Sequence, residues 1–212
     1  MANLVTTEIL ADGPKYYIVK VVGVIDTSDI AATGTIGTAG VTTTGSAVVT
    51  FTAGALVPTV GQYVTATGGT GTGIPAGAYV LSIQSATQIT LNVPVVTGGT
   101  GWTITGTAGA IVVVDPSQMQ QISAVSVPTK CKINRLVFTV EPLLELRLWW
   151  EATAPVYITD LTGAAHQEFE SIGGLTNNAG SGITGHITMT SQGWSASAVL
   201  SFNVVIECVK QP

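Results

Sequence analysis

From residue 30 to residue 114 the chain has no Asp, Glu, Lys, Arg or His: 85 consecutive positions, with all 19 acidic and basic side chains (7 plus 12) placed outside them. Inside this window apolar residues alternate with Thr, Ser and Gln over short runs, as in "QYVTAT" (62 to 67) and "QITLNV" (88 to 93). A period of two sends successive side chains to opposite faces, so these runs read as β-strands with one buried face. "SAVVTFT" (46 to 52), "AYVLSI" (78 to 83) and "GWTITGT" (101 to 107) add three more, separated by Gly, Thr and Pro turns. Thr, Val, Ile and Tyr suit a pleated, half-buried surface. A neutral outer face also avoids the repulsion that accumulates when many identical copies pack side by side.

The charged remainder keeps the same period. In "LLELRLWWE" (143 to 151), Leu144, Leu146, Leu148 and Trp150 point one way, and Glu145, Arg147, Trp149 and Glu151 the other. The C-terminal run puts Leu200, Phe202, Val204, Ile206 and Cys208 on one face, opposite Ser201, Asn203, Val205 and Glu207. "YYIVKVVGVID" (16 to 26) is apolar on both faces except at Lys20, the pattern of a central or interface-covered strand. "INRLVFTVEP" and "GHITMT" supply two further strands. No helical stripe exceeds about two turns. The best short-helix candidate is "DPSQMQQISAV", with Asp115 as N-cap and Pro116 in first position.

The uncharged window begins and ends in similar text, "TGTIGTAG" (33 to 40) and "ITGTAG" (104 to 109). That flank predicts a module whose ends lie close together, inserted at a loop tip of a host domain. The expected division is a discontinuous host, 1 to 33 and 110 to 212, and a small β module, 34 to 109. The expected fold is all-β: an antiparallel, jelly-roll-like β-sandwich carrying the inserted module.

Composition narrows the function. Charged residues make up 9%, against roughly 25% in ordinary soluble domains, so much of the surface is expected to be covered by other subunits. Mean hydropathy is +0.49, yet no run reaches the about 18 apolar residues of a spanning helix. Aromatics, at 6%, are too sparse for the girdles of an outer-membrane barrel. The start, "MANLVTTEILADGPK", lacks the basic and apolar regions of a signal peptide. Seven basic residues against twelve acidic ones, with no basic run beyond "KCKINR", argue against nucleic-acid binding. "GTIGTAG" has no Gly-Lys-Ser/Thr and no βαβ context, so it is not a phosphate loop.

The stretch "VGQYVTATGGTGTGIPAGAYVLSIQSATQITLN" (60 to 92) resembles a short β repeat common in virion proteins of tailed bacteriophages, with "VGQ", "GTGIPAG", "SI" and "TQITLN" in order. An extra "TGG" (67 to 69) lengthens one turn. The host half, through "DGPKYYIVKVVGVIDTSD" and "GGLTNNAGSGITGHITMTSQGW", resembles phage head-decoration (cement) proteins. The resemblance implies a virion structural protein and identifies no ligand.

Chemistry-bearing residues are few. His166 with Glu168 or Glu170, near Asp160, could ligate a metal, but a solvated loop is the favoured reading. His186 opens a candidate strand and reads as a surface or hydrogen-bonded core histidine, with no nucleophile-elbow text to make a triad. Cys208 falls in an apolar phase and reads as a buried hydrophobe, with a Cys131–Cys208 bridge possible if their strands are neighbours. Trp149 and Trp150 must point to opposite faces, one core and one exposed or in an interface; Trp102 and Trp194 each follow a Gly turn and are expected to cap sandwich edges.

The expected function is therefore a non-enzymatic virion structural protein with no cofactor, stabilising the capsid exterior. Its partners are the major capsid protein and itself, as a homotrimer, with no nucleic acid and no membrane. It would be assembled in the host cytoplasm and located on the virion. "MANLVTTEILADG" is expected to act as an arm reaching a neighbour, with Leu4, Val5, Ile9, Leu10 and Trp149 as interface residues. The alternatives are a tail, neck or fibre component, or a module binding host-surface glycans through its tryptophans.

Overall fold

The computed structural model describes residues 3 to 26, 29 to 192 and 198 to 212. They form an all-β molecule in which two antiparallel sheets pack face to face. The first sheet runs β1 (Leu4–Asp12), β2 (Tyr16–Ile25), β14 (Leu200–Gln211), β9 (Lys130–Val140) and β12 (Gly163–Glu168). The second runs β11 (Val156–Leu161), β10 (Glu145–Trp150), β13 (Ile187–Gln192), β8 (Gly99–Val114), β3 (Gly34–Thr42), β4 (Val48–Ala53), β7 (Gln88–Leu91) and β6 (Val80–Ser85), with β5 (Gln62–Thr67) also on β8.

The pairings that define the host are nested in sequence: β2 with β14, β8 with β13, β9 with β12 and β10 with β11. Successive nested pairs alternate between the two sheets. One long antiparallel ribbon is thus wrapped around a common core, which is the jelly-roll arrangement of eight strands. Its interior is filled by the alternating residues of each strand: Val19 and Val21, Leu136 and Phe138, Leu146, Leu148 and Trp150, Ile187 and Met189, Val204 and Ile206.

β3 to β7 lie between the first two strands of this ribbon, β2 and β8. They bury a second cluster, including Ile36, Val49, Phe51, Val64, Ile89, Leu91, Trp102 and Ile104. The strand β8 joins the two: Thr105 pairs with Thr35 of β3 and Thr65 of β5, while Val114 pairs with Ile187 of β13. Its 16 residues run across the expected boundary at 109/110.

Several local expectations change. The N-terminal segment is an edge strand of its own sheet, paired with β2 from Leu4↔Val24 to Asp12↔Tyr17, so its backbone groups on that side are already used and it does not extend as a free arm. The segment around His166 is the edge strand β12, paired with β9, where a solvated loop was expected. Trp102 does not cap an edge. It is buried in the second core beneath the glycine-rich turn, where a Cβ on Gly69 would stand 2.3 Å from the indole. The "TGG" stretch therefore lets the backbone close over a large ring. Trp194 lies outside the described residues. The short helix is one 3-10 turn, Pro116–Gln118, with the Asp115 side chain accepting from the Ser117 N–H at 2.8 Å.

Candidate functional site

Register alone assembles the main polar cluster. Val114, Ile187 and Trp150 form one row across β8, β13 and β10. The next residue outward on each strand is therefore Asp115, His186 and Glu151, side by side at one end of the second sheet. Gly185 permits this approach: its φ is +84°, and a Cβ there would stand 2.1 Å from the Thr129 carbonyl oxygen.

His186 lies between the two carboxylates. Its Nε2 is 3.3 Å from Asp115 Oδ1 and its Nδ1 is 2.6 Å from Glu151 Oε2. The Nδ1–H is not aligned for a hydrogen bond, so that contact is an ion pair in character. The uncharged module closes the cluster with two phenols. Tyr79 donates to Asp115 Oδ2 at 2.7 Å, and Tyr63 donates to Glu151 Oε1. Thr184 donates to Glu151 Oε2 at 2.7 Å. Tyr79 meets both Tyr63 and His186 edge-on, each at 6.2 Å between ring centroids.

The electrostatics follow from burial set against pairing. Burial opposes ionisation of Asp115, but donation from His186, Tyr79 and Ser117 outweighs it and holds the carboxyl near 2. Glu151 is lowered by the same competition, with His186, Tyr63 and Thr184 prevailing over burial. Burial also disfavours the charged His186, yet the two carboxylates raise it to about 9. The phenols of Tyr63 and Tyr79 are pushed up by burial and by the carboxylates they serve. At neutral pH the cluster is a cation between two anions, capped by two protonated phenols. The cluster acts as a latch that ties Tyr63 and Tyr79 to the ends of β8, β10 and β13.

The other candidate residues are dispersed. Leu4, Ile9 and Leu10 are 63%, 52% and 49% exposed on β1, but Val5 is 2% exposed and belongs to the host core. Val5 therefore offers no surface to a partner, because the strand alternation that exposes Leu4 turns Val5 inward. Trp149 is half-buried on the outer face of β10, and its Nε1 donates to Thr190 Oγ1 at 3.0 Å. His166 and Glu168 form an exposed pair at 3.0 Å. Among the described residues no group of three or more His, Cys, Asp or Glu is placed to hold a metal. Cys131 and Cys208 are free and buried on neighbouring strands, opposite Lys210 and Ile133 respectively. Hydrogen bonding between the two thiols, with burial, raises Cys208.

Sequence reasoning did not find the latch. Its five principal members, Tyr63, Tyr79, Asp115, Glu151 and His186, share no motif or spacing. The available signal was that Asp115, Glu151 and His186 each stand at the end of an apolar strand, which becomes informative only once the strand order is known.

No family model, curated protein or solved structure matches the chain.

Proposed function

We propose that the protein is a non-enzymatic structural component of a tailed-bacteriophage virion, a decoration protein that binds the major capsid protein on the capsid exterior as a homotrimer. The observation that carries this reading is the outer face of the first sheet. Its first three rows are Leu4–Val24–Ser201, Thr6–Val22–Asn203–Thr139–Ala164 and Glu8–Lys20–Val205–Val137–His166, and the next is Ile18–Glu207–Arg135–Glu168. Apolar and neutral side chains dominate the first two rows, which lie nearest Leu4; Glu8 faces Lys20 in the third, and the charges of the fourth are Arg135 paired with Glu207 at 2.6 Å and Glu168 beside them. Leu4, Val22 and Val137 are exposed there, with Leu10 along the free edge of β1; Ile9, opposite Val19, lines a cleft on the inner side with Thr7, Tyr17 and Tyr79. A neutral, partly apolar face next to an unpaired strand edge suits contact with other subunits.

The 9% charge content and the resemblance of residues 60 to 92 to a phage virion repeat support the same reading. Binding to the assembled shell would stabilise the capsid by mass action, since each bound copy favours the state it binds. The test is to add purified protein to capsids lacking it. Saturable binding to heads and a higher capsid melting temperature are expected, and Leu4→Asp should abolish both. Density for the protein only on tails or fibres in virion images would overturn the capsid assignment.

A further inference from the structure

The outer face of the second sheet carries a different patch, which the capsid reading does not use. β10 sends Glu145, Arg147 and Trp149 outward. Pairing sets Tyr157 on one side of Trp149 and Thr188 on the other, and Asp160 and Thr190 on either side of Arg147. The Trp149 ring is fixed from two directions, by its bond to Thr190 and by an edge-on contact with Tyr157 at 5.6 Å and 75°. With Pro155, Ala110, Thr188 and Thr190 it forms a shallow cleft of about 260 Å³.

We propose that this cleft binds a neutral pyranose ring of a glycan. A pyranose has one face of C–H groups and a rim of hydroxyls. The C–H face has a matching surface in the indole; the hydroxyl of Thr188 lies in the cleft wall, and the Arg147–Asp160 pair lies in the next cross-strand row of the same face, within reach of the hydroxyl rim of a sugar that extends beyond the cleft. Because the indole is already held, little rotamer freedom is lost on binding.

Charge selects among sugars. Arg147 Nε is 2.5 Å from Glu145 Oε1 and 3.2 Å from Asp160 Oδ1, so one cation faces two carboxylates and the patch is net negative. An acidic sugar is repelled, and a neutral one retains every hydrogen bond. Size argues against a protein occupant. The apolar floor is one ring, one proline and one alanine, far short of the roughly 800 Å² per partner that a stable protein interface buries.

The proposal does not depend on where the protein sits in a virion, so the two readings fail separately. The full-length protein is titrated with methyl glycosides of glucose, galactose and mannose, and with sialic and uronic acid glycosides, followed by ligand-observed NMR. A bacterial surface polysaccharide and a mucin-type glycan form separate arms, which distinguish a cell-surface source from a secreted one.

Binding of neutral sugars is expected in at least one arm. Trp149→Ala should weaken it by about tenfold or more, and Trp149→Phe by less, consistent with loss of aromatic contact. The pair Glu145→Gln with Asp160→Asn should admit acidic sugars. If Trp149→Ala fails to fold, Trp149→Phe and the charge variant carry the test. The proposal is overturned if no neutral sugar binds at millimolar ligand, if acidic sugars bind better to the unaltered protein, or if Trp149→Ala leaves binding unchanged. Loss of self-assembly in Trp149→Ala without any sugar binding would overturn it too, in favour of a subunit contact.

Discussion

The latch at His186 should give the protein a basic limit to its stability that can be calculated. The folded-state value is about 9 against an ordinary 6.5, a rise of 2.5. At about 1.36 kcal/mol per unit, this corresponds to about 3 kcal/mol. Because the folded value is raised, this contribution is fully present below pH 6.5 and is lost as pH rises through about 9. Across that window the folded protein binds one more proton than the unfolded chain, so stability should fall by about 1.4 kcal/mol per pH unit. The depressed carboxylates act at the other end: Asp115 contributes above its ordinary value of 3.8 and loses that contribution as pH falls towards 2. The same ion pair underlies both shifts, so the two contributions are not summed. Urea denaturation at intervals from pH 5 to pH 10 measures the slope. His186→Gln should remove it and destabilise the protein at pH 6 by about 3 kcal/mol, since two buried carboxylates lose their cation. A wild-type profile that is flat between pH 6.5 and 9, or a variant that keeps the slope, would refute the reasoning.

Tyr79→Phe removes the donor to Asp115 Oδ2, leaving only His186 and the Ser117 N–H on the other oxygen, and should cost about 1.5 to 3 kcal/mol, read as a lower denaturation midpoint at pH 7. Trp150→Ala, which empties the host core, should cost roughly 3 to 5 kcal/mol; a loss below 1 kcal/mol in the same assay would contradict its inward placement. Leu143 is 74% exposed with φ at +78°, so Leu143→Gly should stabilise by about 1 kcal/mol, visible as a raised melting temperature. Leu4→Asp should leave the unfolding free energy of the free protein within about 0.5 kcal/mol of wild type while weakening capsid binding in a sedimentation assay.

The sequence by itself determined most of the strands and which way their side chains point. β5 occupies the 62 to 67 run that alternation marked, and Leu146, Leu148 and Trp150 turn inward while Trp149 turns outward. This works because the pleat is local: a period of two needs no knowledge of the partner strand. Where the pattern was weak, the reading was weak. β3 is "GTIGTAGVT", whose glycines obscure the alternation, and β12 is "GAAHQE", an edge strand with little to bury. β1 is "LVTTEILAD", in which Val5 alone is fully buried, so little in the run marks it as a paired strand.

Tertiary structure alone decided what meets what. The jelly-roll order pairs β2 with β14 and β8 with β13 across most of the chain, and no local pattern encodes those partners. That order brings the ends of β8, β10 and β13 together, so Asp115, Glu151 and His186 become one cluster and two tyrosines from an uncharged module can close it. Strand identity is written in neighbouring residues. Electrostatic partnership depends on distance in space, which long-range pairing and register supply.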